Sequence, residues 1–163
     1  LLNDANAAAI TEDVCCKRPE SNLVYLSLSN SVGGAVIFAD EMKSNEGIPA
    51  ITDNTTMYMG NNWRSGEFGH MVIHPEGKTC YCGKQGCLDA YCSALNLADL
   101  EDGNLRAFFD KMESGKEEYR QIWDEYLGNL AIAVDNLRMC FDCEVVLGGY
   151  VGNYMKPYIG RFQ

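Results

Sequence analysis

Three things are scarce in this sequence of 163 residues: long apolar runs, positive charge and histidine. No apolar run approaches the roughly 18 residues of a membrane-spanning helix, and the N-terminus lacks the basic start of a secretory signal. Only 13 Lys and Arg stand against 23 Asp and Glu, which gives a formal charge of −10. A chain this acidic is a poor direct binder of nucleic acid or of an anionic membrane. We therefore expect a cytoplasmic protein without a membrane partner.

The composition is that of an ordinary globular domain. Hydrophobic residues make up 47% and charged residues 22% of the chain, a balance that excludes disordered and low-complexity classes. A chain of this size buries roughly 70% of its unfolded surface, so its core needs no disulfides. Eight cysteines are present, and four of them fall within 13 residues, 80–92. That crowding favours a metal over disulfides.

Local patterns predict an α/β or an α+β chain. Strands should lie at 23–28, 35–38 and 144–147, the last one buried and ended by a tight turn at Gly148-Gly149, with a turn over 29–34. One helix should start at Asn3 or Asp4, and a second should run over 88–100. A third should run over 117–139, where apolar residues recur at steps of three and four. The polar stretch 43–56 has no periodicity and predicts a loop.

Three cysteines and one histidine have the spacing of a metal site. Cys80, Cys82 and Cys87 lie within eight residues, with glycines between them that allow sharp turns. Zinc prefers four tetrahedral nitrogen and sulfur ligands, and closed sites of three cysteines and one histidine are structural. His70 and His74 both precede the cysteines at a suitable distance. Spacing alone leaves the choice between them open.

Simpler interpretations exist for other polar residues. Asp4 on its own fits a helix N-cap, whose oxygen accepts free amides of the first turn. Glu67 alone fits a solvated loop carboxylate. Cys140 and Cys143 form a C-x-x-C pair at a helix-to-strand junction without a second pair, which favours packed free thiols.

Two motifs resemble the signature of the ROK family of repressors, open reading frames and sugar kinases. They read GEFGH at 66–70 and CYCGKQGCLD at 80–89, and three further segments agree in order, NDANAAA at 3–9, VGGA at 32–35 and VVLGG at 145–149. The resemblance implies an actin-like ATPase (ribonuclease H-like) α/β fold, with sugar and ATP bound between two domains. It also implies that residues 1–163 are a C-terminal fragment, the sugar-binding and zinc domain, without the N-terminal domain.

The resemblance assigns roles to individual residues. Asp4 falls on the general base that takes the proton of a sugar hydroxyl, and Asn3 on the residue that holds a neighbouring hydroxyl. Glu67 and His70 fall on sugar contacts, and His70 becomes the fourth zinc ligand beside Cys80, Cys82 and Cys87. Asp89 stands where the family has a sugar-binding Glu, one methylene longer.

The phosphate-binding segments depart from the kinase pattern. Ser29-Asn30-Ser31 stands where family kinases have Gly-Thr-Gly, and side chains there hinder a close approach of backbone amides to phosphate. The segment 43–56 resembles an insertion beside this loop. Nucleotide contacts, if retained, fall on Val32, Gly33, Gly34, Gly148 and Gly149. The family's first phosphate loop, near the start of its kinases, is absent from these residues.

Two functions follow from the resemblance, and a third comes from the metal site alone. The first is the sugar-sensing, zinc-containing domain of a ROK transcriptional regulator, a homodimer that contacts DNA only through a missing N-terminal domain. The alternative is an ATP- and Mg-dependent hexose kinase with Asp4 as base, in which this fragment alone is inactive. The third is a zinc-stabilised interaction module that binds no small ligand.

Overall fold

The computed structural model describes residues 4–15, 21–39, 50–52 and 55–162. Its helices and strands, in chain order, are α1 Asp4–Cys15, β1 Leu23–Leu28, β2 Val32–Ala39, β3 Ala50–Thr52, β4 Thr55–Met57, α2 Asp89–Cys92, α3 Leu95–Ala98, α4 Leu105–Glu113, α5 Glu117–Phe141, β5 Glu144–Gly148 and α6 Gly149–Gly152. Short 3-10 turns cover Phe68–His70, Asp99–Glu101 and Lys156–Phe162.

The described strands form one mixed sheet in the order β3-β4-β2-β1-β5. β1 pairs antiparallel with β2 and parallel with β5, and β4 pairs antiparallel with both β2 and β3. β1 therefore lies inside the sheet, with a neighbour on each side. That position explains why all six of its residues are buried, as expected for a strand covered on both faces.

Helices cover both faces of the sheet. Side chains alternate along a strand, so Val24, Leu26 and Leu28 point into a core shared with α5, whereas Leu23 and Tyr25 pack in a second cluster with Ala9 of α1. The larger core contains seven buried residues of α5: Trp123, Tyr126, Leu127, Leu130, Ala133, Val134 and Leu137. The apolar stripe of that helix is thus core.

Four sequence predictions are wrong in detail. A turn is predicted over 29–34, yet β2 already begins at Val32. An irregular loop is predicted over 43–56, yet residues 50–52 and 55–57 form β3 and β4; residues 43–49 and 53–54 lie outside the described part of the chain. A continuous helix is predicted over 88–100, yet Ser93 is extended and separates α2 from α3. The strand at 144–147 is predicted to be buried, yet β5 is only half-buried, because it is an edge strand of the described sheet.

Gly128 offers a test of the packing around α5. It is an exposed position inside the helix, and a methyl group at its Cβ position would meet no atom within 4 Å. Replacing Gly128 by alanine should therefore raise the free energy of unfolding by about 0.5–1 kcal/mol, because alanine loses less backbone entropy on folding.

Chemical denaturation of the wild type and of Gly128→Ala measures this difference. Gly69→Ala is the contrasting variant, since its added Cβ would lie 2.1 Å from the carbonyl oxygen of Val32 and should destabilise the protein. Destabilisation by Gly128→Ala would show that this face of α5 is covered in solution.

Candidate functional site

Four side chains that could hold a metal ion converge beside the 3-10 turn at Phe68–His70. The ligand atoms of His70, Cys80, Cys82 and Cys87 all lie within 4.8 Å of one another. The Sγ of Cys80 is 3.7 Å from Nδ1 of His70, and the Sγ atoms of Cys82 and Cys87 are also 3.7 Å apart. Atoms bound tetrahedrally to one ion at 2.0–2.3 Å lie about 3.3–3.8 Å apart, so these two pairs already have the required spacing.

Tight turns bring the cysteines together. The amide of Cys80 donates to the carbonyl of Lys84 at 2.8 Å, and the amide of Gly83 donates back to Cys80 at 2.9 Å. Gly83 and Gly86 both have left-handed backbone conformations, with φ of 88° and 78°. At Gly86 a Cβ would lie 1.7 Å from the carbonyl oxygen of His74, so glycine is required there both by conformation and by space.

The two thiols of the Cys82–Cys87 pair differ in environment. The exposed Cys82 receives a hydrogen bond from the backbone of Lys84, which lowers its pKa. Burial, followed by hydrogen bonds to Cys82 and Cys80, raises the pKa of the Cys87 thiol to about 12. A cation beside Cys87 would offset this, because a bound metal favours the thiolate.

The structure separates the two histidines that spacing leaves equivalent. Nε2 of His74 lies 2.6 Å from Oδ1 of Asn129 on α5, and its ring contacts Tyr91 edge to face. His74 is therefore engaged with the helix layer and is outside the metal cluster. Of the two, His70 is the residue that lies with the cysteines.

The residues predicted to bind sugar surround the beginning of β2. The carboxylate of Asp89 accepts a hydrogen bond from the amide of Val32 at 2.5 Å. The next residue, Gly33, packs so closely on Ala5, the neighbour of Asp4, that a Cβ would lie 2.8 Å from the Ala5 Cβ.

The same strand start also approaches the turn that carries Glu67 and His70. A Cβ at Gly34 would lie 2.4 Å from the ring of Phe68, and one at Gly69 would lie 2.1 Å from the carbonyl of Val32. The first three residues of β2 thus contact Asp89 or the immediate neighbours of Asp4, Glu67 and His70. Asn3 lies outside the described residues.

The predicted sugar ligands differ in exposure. Asp4 and Glu67 are exposed, and the Oδ1 of Asp4 accepts a hydrogen bond from the amide of Ala5 at 2.9 Å, at the start of α1. Asp89 is buried at the start of α2. One of its two carboxylate oxygens is engaged with Val32, which neither a sequence motif nor periodicity indicates.

The glycines predicted to contact a nucleotide fall into two groups. Gly33 and Gly34 are packing positions against α1 and Phe68, as described above. Gly149 has a φ of 78°, and its Cβ would lie 2.7 Å from Oγ of Ser29, so the turn at Gly148-Gly149 faces the bend at 29–31. Beside this turn lies a pocket of about 400 Å³, lined by Asn30, Ala94, Leu95, Ala98, Gly103, Leu105, Tyr150, Asn153 and Tyr154.

Tyr81 is a site residue that sequence reasoning misses. Its hydroxyl is 3.3 Å from Nε2 of His70, and the two rings meet edge to face at 5.2 Å. Burial raises the pKa of Tyr81, and the carboxylate of Asp89 and the thiol of Cys80 add to the effect. Its place inside the C-x-C motif is the only signal in the sequence that could have suggested a role.

A mixed sheet with helices on both faces and a Cys/His cluster beside its second strand places the chain among actin-like ATPase-type α/β domains. The sequence matches the ROK family over residues 1–160, so the chain belongs to that family. The resemblance seen in the motifs is therefore confirmed.

Both enzymes and regulators are among the similar proteins. An N-acetylmannosamine kinase of Escherichia coli O1:K1 is 28% identical over an alignment of 157 residues that covers 93% of this chain and 49% of that kinase. A ROK hexokinase from Thermus thermophilus is 28% identical with a TM-score of 0.75, covering 93% of this chain and 50% of that one. A ROK family transcriptional regulator, a homologue of the E. coli MLC protein, shares the fold with a TM-score of 0.72 at 19% identity, over 98% of this chain and 41% of its own.

The chain spans about half the length of the curated relatives that it matches. In the described part of the chain, no helix is long and apolar enough to cross a membrane.

Proposed function

We propose that this chain is the sugar-binding domain of a ROK-family sugar sensor and that a structural zinc ion holds its binding site in place. The observation that carries the proposal is the position of His70. Its Nδ1 faces the cysteine cluster, while the carboxylates of Glu67 and Asp89 lie on the elements next to it. A metal at the cluster would therefore fix one side of the sugar site.

The donor set fits zinc. Three thiols and one imidazole are the ligands of closed structural zinc sites, and the Cys80–His70 and Cys82–Cys87 distances of 3.7 Å agree with tetrahedral geometry. Zinc would supply folding free energy and a fixed ring orientation of His70. It would not take part in a reaction, because all four positions are filled by protein.

Carboxylates suit the recognition of a hexose. An ionised carboxylate only accepts hydrogen bonds, and a charge-assisted bond to a hydroxyl is roughly twice as strong as a neutral one. The exposed Glu67 is free to turn toward a ligand, and Asp89 is held by Val32 with one oxygen engaged. Asp4 and Asn3 complete the proposed set at the start of α1.

The sensor is favoured over the kinase by the bend at 29–31. Three side chains occupy it, and Oγ of Ser29 lies 3.2 Å from Oγ of Ser27 and against the turn at Gly149. Sugar binding would then shift the complete protein between two conformations, because a ligand stabilises the state that it binds better. We place this protein in the cytoplasm, as a homodimer that reaches DNA through a further domain.

The second candidate is an ATP-dependent sugar kinase. It is supported by the kinase names of the relatives at 28% identity and by the pocket of about 400 Å³ beside Gly149, which has room for a nucleoside. In that case Asp4 would act as the base toward a sugar hydroxyl, and Mg²⁺ would accompany ATP.

Replacing Glu67 by alanine tests the sugar site. The hexose affinity of the variant should be lower by tenfold or more. A sugar hydroxyl that is buried on binding without a hydrogen-bond partner weakens the binding free energy by about 1–3 kcal/mol. Calorimetry with a hexose panel on the complete gene product gives the affinity, and elemental analysis should find the metal content unchanged.

Glu113→Ala is the matched control, since it removes an equally exposed carboxylate at the far end of α4. Unchanged sugar affinity in Glu67→Ala would place the binding site elsewhere.

A further inference from the structure

The Tyr81 side chain is highly exposed to solvent, yet its hydroxyl has a partner within the site. The side chain is 74% exposed, so it is not a core residue, yet its hydroxyl and its ring both contact His70. An exposed aromatic ring is common on protein surfaces. One that is tied to a predicted ligand-binding side chain is a candidate for contact with the ligand.

The backbone of Tyr81 is held by the metal cluster. The residue lies between Cys80 and Cys82, in a turn closed by the hydrogen bonds between Cys80, Gly83 and Lys84. Any ion bound by the two cysteines would therefore fix the origin of the Tyr81 side chain. In the structure the ring is turned toward His70, with the two ring centroids 5.2 Å apart.

The hydrogen bonding of His70 defines what the Tyr81 hydroxyl does. Nδ1 of His70 faces Cys80, and a histidine that binds metal through one nitrogen usually donates the N–H of the other to a nearby acceptor. With a metal on Nδ1, Nε2 would carry the N–H and the acceptor would be the oxygen of Tyr81, 3.3 Å away. The phenolic O–H is then left to donate to a further acceptor.

The surroundings of the hydroxyl are those of the proposed sugar site. Glu67 directly precedes the 3-10 turn that contains His70, and Asp89 begins α2, two residues after Cys87. Four described residues are assigned to sugar binding by the proposed function: Asp4, Glu67, His70 and Asp89. In the chain, Glu67 and His70 precede Tyr81, and Asp89 follows it. A ligand that reaches Nε2 of His70 must approach beside the exposed ring of Tyr81.

We propose that Tyr81 contacts the sugar. Its ring packs against an apolar face of a hexose, and its hydroxyl leaves Nε2 of His70 so that a sugar hydroxyl can form a hydrogen bond there. This inference rests on the proposed function. Tyrosine suits the role because it has an apolar ring surface and a polar tip. Without a ligand, the Tyr81 hydroxyl is the hydrogen-bond partner of Nε2 of His70. Sugar binding therefore replaces one hydrogen bond by another, and the net gain in binding free energy comes from the contact with the ring.

Two variants separate the ring from the hydroxyl in the complete gene product. Tyr81→Ala should weaken binding of its best hexose by about tenfold, the size of one lost aromatic contact. Tyr81→Phe should bind within about threefold of the wild type or more tightly, because no hydroxyl competes for His70. Both variants should keep the wild-type metal content, and Tyr58→Ala, which removes an exposed ring that contacts Phe38, should not change sugar affinity.

The NMR signal of Nε2 in His70 tests the contact independently of sugar. In ligand-free protein Tyr81→Phe should shift it, and in the wild type a hexose should shift it on titration. If Tyr81→Ala keeps full affinity while Glu67→Ala loses it, the sugar site stands and the role of Tyr81 is wrong. If no hexose binds to the wild type, both proposals fail, and a shift in Tyr81→Phe would then show only the contact with His70.

Discussion

Replacing Cys87 by alanine is expected to abolish metal binding at the cluster and to lower the free energy of unfolding by several kcal/mol, because a structural ion contributes its binding energy to folding. Cys87 is fully buried, and its Sγ lies 3.7 Å from that of Cys82. It also forms an isolated bridge with Val72 and directly precedes Leu88 of the core. Loss of the ion would thus loosen the connection between the cysteine loop and the core.

Elemental analysis and chemical denaturation measure the two effects. Cys92→Ala is the matched control, since Cys92 is likewise a fully buried cysteine but lies outside the cluster, so this variant should keep the metal and lose only the packing of the thiol. His70→Ala should reduce metal content, whereas His74→Ala should retain the metal and lose only the contact with Asn129. Wild-type protein that is isolated without metal and folds as stably as after zinc addition would contradict the structural role.

The parts of the fold that the sequence predicts well are those set by local periodicity. The apolar repeat over 117–139 predicts a helix, and α5 spans Glu117–Phe141. It ends where Asp142 adopts a left-handed conformation with φ of 46°. The strand at Leu23–Leu28 is likewise found at the predicted residues.

The errors come from contacts between residues that are distant in sequence. The helix predicted over 88–100 breaks because the amide of Ala94 donates to the carbonyl of Ser29 at 2.7 Å. The polar residues of β4 form a strand because they pair with β2. Neither partner is visible in a local window, and only the assembled sheet makes these conformations favourable.

The candidate site also has a part that a local pattern predicts and a part that depends on contacts between distant residues. Spacing alone indicates three cysteine ligands, because a metal cluster on one loop is a local pattern. Spacing leaves His70 and His74 equivalent, and only the motif resemblance selects His70; the contact of His74 with Asn129, 55 residues further along the chain, accompanies its place outside the cluster. The engagement of Asp89 with Val32 spans 57 residues, and the contact of Tyr81 with His70 needs the folded loop. Such pairs carry no signal in a single sequence.

The second large effect concerns ATP. We expect the complete gene product to bind a hexose. Its rate of ATP-dependent phosphorylation should be at least about a thousandfold below the roughly 1–100 per second typical of kinases. Phosphoryl transfer depends on positioning and on charge stabilisation by groups that approach the phosphates closely. At the bend 29–31 the chain presents side chains, and Oγ of Ser29 faces the turn at Gly149, beside the pocket that the kinase alternative would give to a nucleotide.

A coupled assay with a hexose panel, calibrated with a hexokinase, measures this turnover. The triple substitution Ser29→Gly, Asn30→Thr and Ser31→Gly should raise ATP affinity, because glycine lets backbone amides approach a phosphate. The sugar affinity of that variant should be unchanged, since none of the three residues contacts Glu67, His70 or Asp89 in the hydrogen bonds of the described residues. Turnover within the kinase range by the wild type, abolished by Asp4→Asn, would decide for the kinase, with Asp4 as the base that takes the sugar proton.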